Sequence, residues 1–248
     1  MEKIIKRLNG YSGSEVYLVE DNGSKIIKKI NNIDRNYERM SYLYKNGFDI
    51  PAIFSKKDNI LKMEYLYGLD MIEFLKTNDF TLLQNFILDV IDKLKKTTQN
   101  KDYSIAYQKK LNEITDFKVF NFTKNQLYSK LPKILPQSNY IGDFSLDNII
   151  FSNNKFYLID CITVDFDSWI FDVAKIRQDL QCEWFIRKHK DLKFDVCLNI
   201  MLNKIFEKNE YCNNNYILIM MLLRVYPYSS ENTEDRFFLI DKINKLWK

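Results

Sequence analysis

Chain-breaking residues, histidine and closely spaced cysteines are all scarce in this 248-residue sequence, which holds 6 Gly, 4 Pro, 4 Cys and 1 His. So little Gly and Pro excludes a collagen-like, linker-dominated or low-complexity chain. Cys161, Cys182, Cys197 and Cys212 stand far apart with no C-x-x-C, and the lone His189 cannot complete a zinc-ligand spacing. Neither a structural zinc site nor a small disulfide framework is therefore expected, and the cysteines read as reduced and mostly buried. Long apolar runs are missing too. The longest, Tyr216 to Leu223, stops at Arg224, well short of the roughly 20 residues that span a bilayer, and Met1 to Arg7 has no apolar stretch of signal-peptide length. A cytoplasmic protein with no membrane span is the expectation. No charge of one sign dominates: 37 basic against 33 acidic residues leave +4, without the dense positive field of a nucleic-acid-binding surface.

What is present is apolar and aromatic side chain, 46% and 15% of the residues, in a chain long enough for between one and two domains. Residues 1 to 66 read as strands around one helix. Val16 to Val19 and Lys25 to Ile30 flank Asp21-Asn22-Gly23, a hairpin turn whose residues tolerate positive φ. From Asp34 to Asn46, Tyr37, Met40, Leu43 and Tyr44 recur at helical spacing, and Gly47 ends the helix. Ile50 to Phe54 and Ile60 to Tyr65 give further strands. Beyond Gly68 the pattern is helical over Asp70 to Leu75, Thr81 to Thr97 and most of Ser104 to Leu135. A β interlude, Asn148 to Asp160, interrupts it, and helices resume from Phe171. The fold class is α+β: a small β-rich part with one helix, residues 1–66, followed by a larger, mostly helical part, residues 67–248.

The chemistry concentrates in Gly142-Asp143-Phe144-Ser145-Leu146-Asp147-Asn148-Ile149-Ile150-Phe151 and the strand Phe156-Tyr157-Leu158-Ile159-Asp160. Two apolar strands joined by a polar turn form a hairpin. With the turn centred on Asn154, Asn148 stands opposite Asp160, and Asp143 lies on the loop that enters. Three oxygen ligands in one place suit Mg²⁺, a hard cation that prefers carboxylate and phosphate. The same residues also suit plain turn hydrogen bonding, a reading the hairpin alone leaves open.

This spacing resembles the catalytic segment of the aminoglycoside phosphotransferase and choline kinase-like families, His-Gly-Asp-x-x-x-x-Asn and then a strand ending Ile-Asp. Leu61 to Gly68 resembles the connector between the lobes of those proteins, with Met63, Glu64 and Leu66 beside the nucleotide base. Asp167 to Ala174 resembles the segment whose last Asp, here Asp172, supports the catalytic loop. The resemblance implies a bilobal protein kinase-like fold and a phosphotransferase with an alcohol group as acceptor. The γ-phosphate of ATP or GTP would pass to a small-molecule hydroxyl with Mg²⁺, and neither nucleic acid nor membrane would be a partner.

Residue by residue, the resemblance implies Asp143 as the catalytic carboxylate that orients the hydroxyl, and Asn148 and Asp160 as metal ligands. Asn9 to Glu15, with Ser12, Gly13 and Ser14, would cradle phosphate through backbone N–H and hydroxyl groups. Lys28 would reach the phosphates, with Ile26 on its face of the strand covering adenine and Lys29 on the other face in solvent. Glu38 would be the helix carboxylate that partners the lysine. One departure stands out: Ile141 replaces the family His. There is also no Phe-Gly after Asp160 and no long segment before Asp172, which argues against a protein acceptor. Acids after Asp165 are closely matched by Lys and Arg, which disfavours a polycationic aminoglycoside. Trp184, Phe185, Arg187, Tyr211, Arg224, Tyr226 and Tyr228 mix aromatic and cationic side chains that suit a sugar carrying an anionic group, though helical spacing makes any one of them equally a core residue. Phe171 to Ile176 and Leu222 to Tyr228 resemble kinase-like proteins of bacterial surface-polysaccharide pathways, which implies a sugar or glycan-precursor acceptor. The alternatives are a non-catalytic nucleotide-binding pseudokinase, for which Ile141 is the support, an aminoglycoside phosphotransferase, and nucleotidyl transfer by an inverted nucleotide, which uses nearly the same ligands.

Overall fold

The computed structural model describes residues 2–8, 14–189, 192, 203–204 and 209–248. Ser12, Gly13 and Cys197 lie outside the described residues. The chain divides into two compact units, Met1–Asp79 with Ile141–Val164, and Phe80–Tyr140 with Asp165–Lys248.

The first unit is built on a five-stranded antiparallel sheet in the order β1-β2-β3-β5-β4 (β1 Lys3–Leu8, β2 Glu15–Asp21, β3 Ser24–Ile30, β4 Ile53–Lys57, β5 Ile60–Glu64). Asn22 and Gly23 both take positive φ, 50° and 81°, the backbone that a tight two-residue hairpin turn demands. They fix Asp21 opposite Ser24 and so set the register of β2 on β3. β1 is an exposed edge strand whose Lys3, Lys6 and Arg7 discourage pairing with another chain. Helix α1, Asp34–Lys45, leaves β3 and buries Asn36, Arg39, Met40 and Leu43, a stripe at three- and four-residue spacing.

A second, three-stranded sheet completes the unit in the order β10-β9-β6 (β6 Leu69–Asp70, β9 Ile149–Ser152, β10 Lys155–Leu158), with α2, Met71–Thr77, following β6. Phe74, Phe151 and Phe156 pack with ring centroids 4.8–5.0 Å apart. The Ser152 hydroxyl donates to the Tyr67 carbonyl at 2.7 Å, and a side chain at Gly68 would collide with the Phe151 carbonyl. These contacts and the Leu69–Phe151 pairing fasten the segment around Gly68 to the hairpin. The first unit is therefore discontinuous in sequence, whereas a linear reading cuts the chain near Tyr65 to Gly68.

The second unit is mostly helical: α3 Phe80–Leu94, α4 Ser104–Asn112, α5 Lys124–Lys130, α6 Trp169–Leu180, α7 Asn215–Val225 and α8 Glu234–Leu246. A ribbon of β7, Thr97–Asp102, on β8, Ile134–Ser138, stands in stretches that the sequence pattern mostly leaves unassigned, overlapping the expected helices only at Thr97, Ile134 and Leu135. Every residue of α6 is buried. Its Arg177 is 0% exposed and donates to Gln181 Oε1, to the Cys212 and Asn214 carbonyls, and to Asn215 Oδ1. Burial pushes its guanidinium down to about 10. Cys161, Cys182 and Cys212 are buried thiols, and burial raises the last two to about 12. Among the described residues no helix is long and apolar enough to cross a membrane.

Candidate active site

The site lies within the first unit and is assembled by the turn of one hairpin. Asn153 and Asn154 take φ of 50° and 59°, so the two-residue turn pairs Ser152 with Lys155 and Ile149 with Leu158. One step further, the Ile159 N–H donates to the Asn148 carbonyl at 2.9 Å. Asn148 thus stands opposite Ile159, not Asp160, because the turn is centred between the two asparagines and not on Asn154. Asp160 follows at once, with a φ of 54° that is uncommon for a residue with a Cβ. Two donors hold it there: Lys29 Nζ at 2.5 Å and Asn36 Nδ2 at 2.8 Å, both on Oδ1.

Asp143 enters from the preceding loop. Asn148 Nδ2 donates to its backbone carbonyl at 2.9 Å and to its Oδ2 at 3.1 Å, which ties the carboxylate to the base of the hairpin. Gly142 makes the loop possible. Its φ is 94°, and the Ile162 carbonyl occupies the space a Cβ would need. The Ile162 N–H donates to the Ile141 carbonyl at 3.1 Å, and the Ile141 side chain is buried. Backbone pairing and apolar packing therefore support this loop at the position where the resembled families carry histidine.

Gly142→Ala is expected to cost about 1–3 kcal/mol from left-handed strain alone, and more from the clash with Ile162. Gly47, with φ 76° and nothing near its absent Cβ, supplies the strain-only control. Urea midpoints of the two alanine variants check this: a larger loss at Gly142 reads the close approach, and equal losses would leave it without weight.

Four of the expected residues, Lys28, Ile26, Glu64 and Glu38, are placed differently by strand parity and helix phase. Lys29, not Lys28, faces Asp160: its side chain is 5% exposed, whereas Lys28 projects from the opposite face to Glu2 at 2.7 Å. There Lys62 joins Glu2 and Asp21 in a surface charge cluster, in which hydrogen bonding to Lys28 holds the Glu2 carboxyl below its usual range. Ile26 shares the Lys28 face, so Ile27 is the strand residue beside Lys29. In β5, Met63 pairs with Ile27 and lies on the Lys29 face, buried. Glu64 lies on the other face, where its Oε2 accepts from the Ala52 N–H at 3.0 Å. Glu38 is exposed on α1, because the buried stripe passes through Asn36 and Arg39 instead. Asn36 is the helix residue that meets Asp160.

Ser14 is buried at the start of β2, and among the described residues its hydroxyl has no hydrogen-bond partner. Leu66 is half-buried. In the second unit Phe185 and Tyr226 are core residues, and the Arg187 guanidinium stacks over Trp184 at 3.7 Å while pairing with Asp235. Tyr228 is exposed, and Tyr211 and Arg224 are half-buried.

A five-stranded antiparallel sheet with one amphipathic helix, a loop and hairpin bearing Asp143, Asn148 and Asp160, and a helical carboxy-terminal region match a protein kinase-like fold. Comparison with solved structures bears this out. A protein of Haemophilus somnus 129PT assigned as a fructosamine-3-kinase superposes with a TM-score of 0.65 at 15% identity, over 100% of this chain and 91% of that one. A thermostable mutant of aminoglycoside phosphotransferase APH(4)-Ia, in ternary complex with AMP-PNP and hygromycin B, gives 0.62 at 12% identity over 97% and 92%. An ethanolamine kinase of Plasmodium vivax gives 0.56 at 14% identity over 99% and 82%. No protein-family model matches the sequence, and no curated protein matches it.

Proposed function

We propose that this chain is a small-molecule kinase that moves the γ-phosphate of ATP or GTP to a hydroxyl of a small acceptor, with Mg²⁺ as its cation. The observation that carries the reading is the convergence of Asp143, Asn148 and Asp160 on one loop and hairpin, with the buried Lys29 ammonium on Asp160. The residues fit the groups they would hold. An amide oxygen and a carboxylate are hard donors suited to Mg²⁺, and the Asp160 side chain keeps 41% of its exposure. Among the described residues the Ser14 hydroxyl has no hydrogen-bond partner, which a phosphate oxygen would supply.

Phosphoryl transfer asks the protein for position and charge neutralisation more than for covalent chemistry. When bound, Mg²⁺ supplies charge neutralisation across the phosphate oxygens. Asn148 and Asp160 would hold it, and Lys29 takes the phosphate-contacting role first expected of Lys28. Ser14 and the adjoining Asn9–Gly13 segment would meet the phosphates, with Met63 and Ile27 against the base. Asp143 orients the acceptor hydroxyl and accepts its proton late, as the bond to phosphorus forms. Ile141 is compatible with this catalytic reading, since its buried side chain and its carbonyl, paired with the Ile162 N–H, give the loop support without a histidine. A sugar or glycan precursor is the acceptor class we favour. The structural relatives are described as acting on fructosamine or ethanolamine, or as binding hygromycin B, all small and polar.

Mg²⁺ and ATP together are expected to raise the melting temperature more than the sum of each alone, because ligands of the native state stabilise it by mass action. Asp160→Asn should abolish the metal-dependent part. Retention of the full Mg²⁺ effect in that variant would remove Asp160 from the metal site, and mass spectrometry of the product distinguishes phosphoryl from nucleotidyl gain.

A further inference from the structure

Helix α1 presents an amide to Asp160, not the carboxylate expected from the sequence. Lys29 is buried, and among the described residues Asp160 is the one carboxylate within ion-pair distance of it. The α1 residue that reaches the same place is Asn36, itself 3% exposed. Its Nδ2 donates to Asp160 Oδ1 at 2.8 Å and to the Cys161 carbonyl at 3.1 Å. Both partners are pure acceptors, so only the NH₂ end of the amide can face them and its orientation is fixed by chemistry. Lys29 and Asn36 both occupy Oδ1. Among the described residues Oδ2 accepts no hydrogen bond, and the side chain is 41% exposed.

We propose that Asn36 is a positioning residue that divides the two oxygens of Asp160, clamping Oδ1 on the Lys29 side so that Oδ2 is presented to the divalent cation. This rests on the kinase reading above and goes beyond it by naming how the metal ligand is aimed. The uncharged amide matters. A carboxylate on α1 would meet the Cys161 carbonyl and Asp160 with like charge, whereas the amide satisfies both and leaves Asp160 as the shared anion of Lys29 and the cation. Through the Cys161 carbonyl the same amide also fixes the backbone just after Asp160, whose positive φ needs support from its surroundings.

The test uses Asn36→Ala and the volume-conserving Asn36→Leu. Mg²⁺ is titrated at saturating ATP with the melting temperature as readout, and ATP binding in EDTA is measured by displacement of a fluorescent ATP analogue. The Mg²⁺ concentration for half effect should rise about tenfold or more, the usual consequence of removing a hydrogen bond that orients a ligand. Metal-free ATP affinity should stay within about twofold, since Lys29 keeps its place on Asp160. An unchanged Mg²⁺ midpoint in both variants would overturn the proposal. So would a parallel loss of metal-free ATP affinity, or failure of both variants to fold, since either result marks Asn36 as a packing residue. If wild-type protein itself shows no Mg²⁺-dependent ATP stabilisation, the kinase reading falls and takes this inference with it, a result distinct from the variant outcomes.

Discussion

Asp143→Asn is expected to lower turnover by about two to four powers of ten while nucleotide affinity stays within a few-fold. The substitution is nearly isosteric. Its amide oxygen can still accept from Asn148 Nδ2, which now donates to Asp143 Oδ2 and to the Asp143 backbone, so the loop keeps its shape and the loss reports the missing charge. An amide cannot take the proton of an acceptor hydroxyl, yet it removes no contact to nucleotide, because Asp143 sits on the entering loop and the proposed metal ligands sit at the hairpin. Slow nucleotide hydrolysis gives the readout without knowledge of the acceptor, with water in the hydroxyl's place. Turnover within tenfold of wild type would strip Asp143 of its role. Wild-type protein that binds Mg-nucleotide but neither hydrolyses it nor transfers phosphate across a panel of sugars, amino alcohols and aminoglycosides would decide for the non-catalytic alternative.

What the sequence makes legible here is local, and what it hides is set at a distance. The β2–β3 hairpin announces itself in Asp21-Asn22-Gly23, and the Gly142–Asp160 stretch carries its own spacing. Even the register error at Asn148 is small: two adjacent asparagines with positive φ move the turn centre by half a residue. The β7–β8 ribbon leaves no such mark. Thr97–Asp102 has no apolar alternation to bury, and Ile134–Ser138 contains a proline, so neither carries the period-2 signal by which a strand is known.

Helix α1 shows how polar residues on a buried face mislead. Reading its stripe through Tyr37, Met40, Leu43 and Tyr44 rotates the helix, because Tyr44 is 62% exposed while Asn36 and Arg39 are buried. Met40 and Leu43 hold the true phase. Extending their spacing backward reaches Asn36, whereas seeking a carboxylate leads to Glu38. Arg177 and its neighbours in α6 make the same point in the second unit, where burial is decided by hydrogen-bond partners far along the chain.

Lys28 and Lys29 give the sharpest contrast. Lys29→Met is expected to cost about two to three powers of ten in turnover, the usual effect of losing a donor aimed at developing charge, while Lys28→Met stays within about threefold of wild type. Strand alternation places the two lysines on opposite faces, but alternation cannot say which face is the site. That is decided by Asp160, 131 residues away in sequence, whose Oδ1 lies 2.5 Å from Lys29 Nζ. Methionine suits the test because it approximates the lysine stem without the charge. At position 29 it leaves Asp160 hydrogen-bonded to Asn36 and still partly in water, so the fold should survive and the loss should fall on phosphate contact. At position 28 it removes one partner of Glu2 but leaves Lys62 at 3.3 Å, so the surface cluster persists. The Mg-ATP stabilisation should follow the same order, vanishing or nearly so with Lys29→Met. Equal losses from the two variants would mean that neither face of β3 meets phosphate as proposed, and a larger loss from Lys28→Met would return the site to the other face of the sheet.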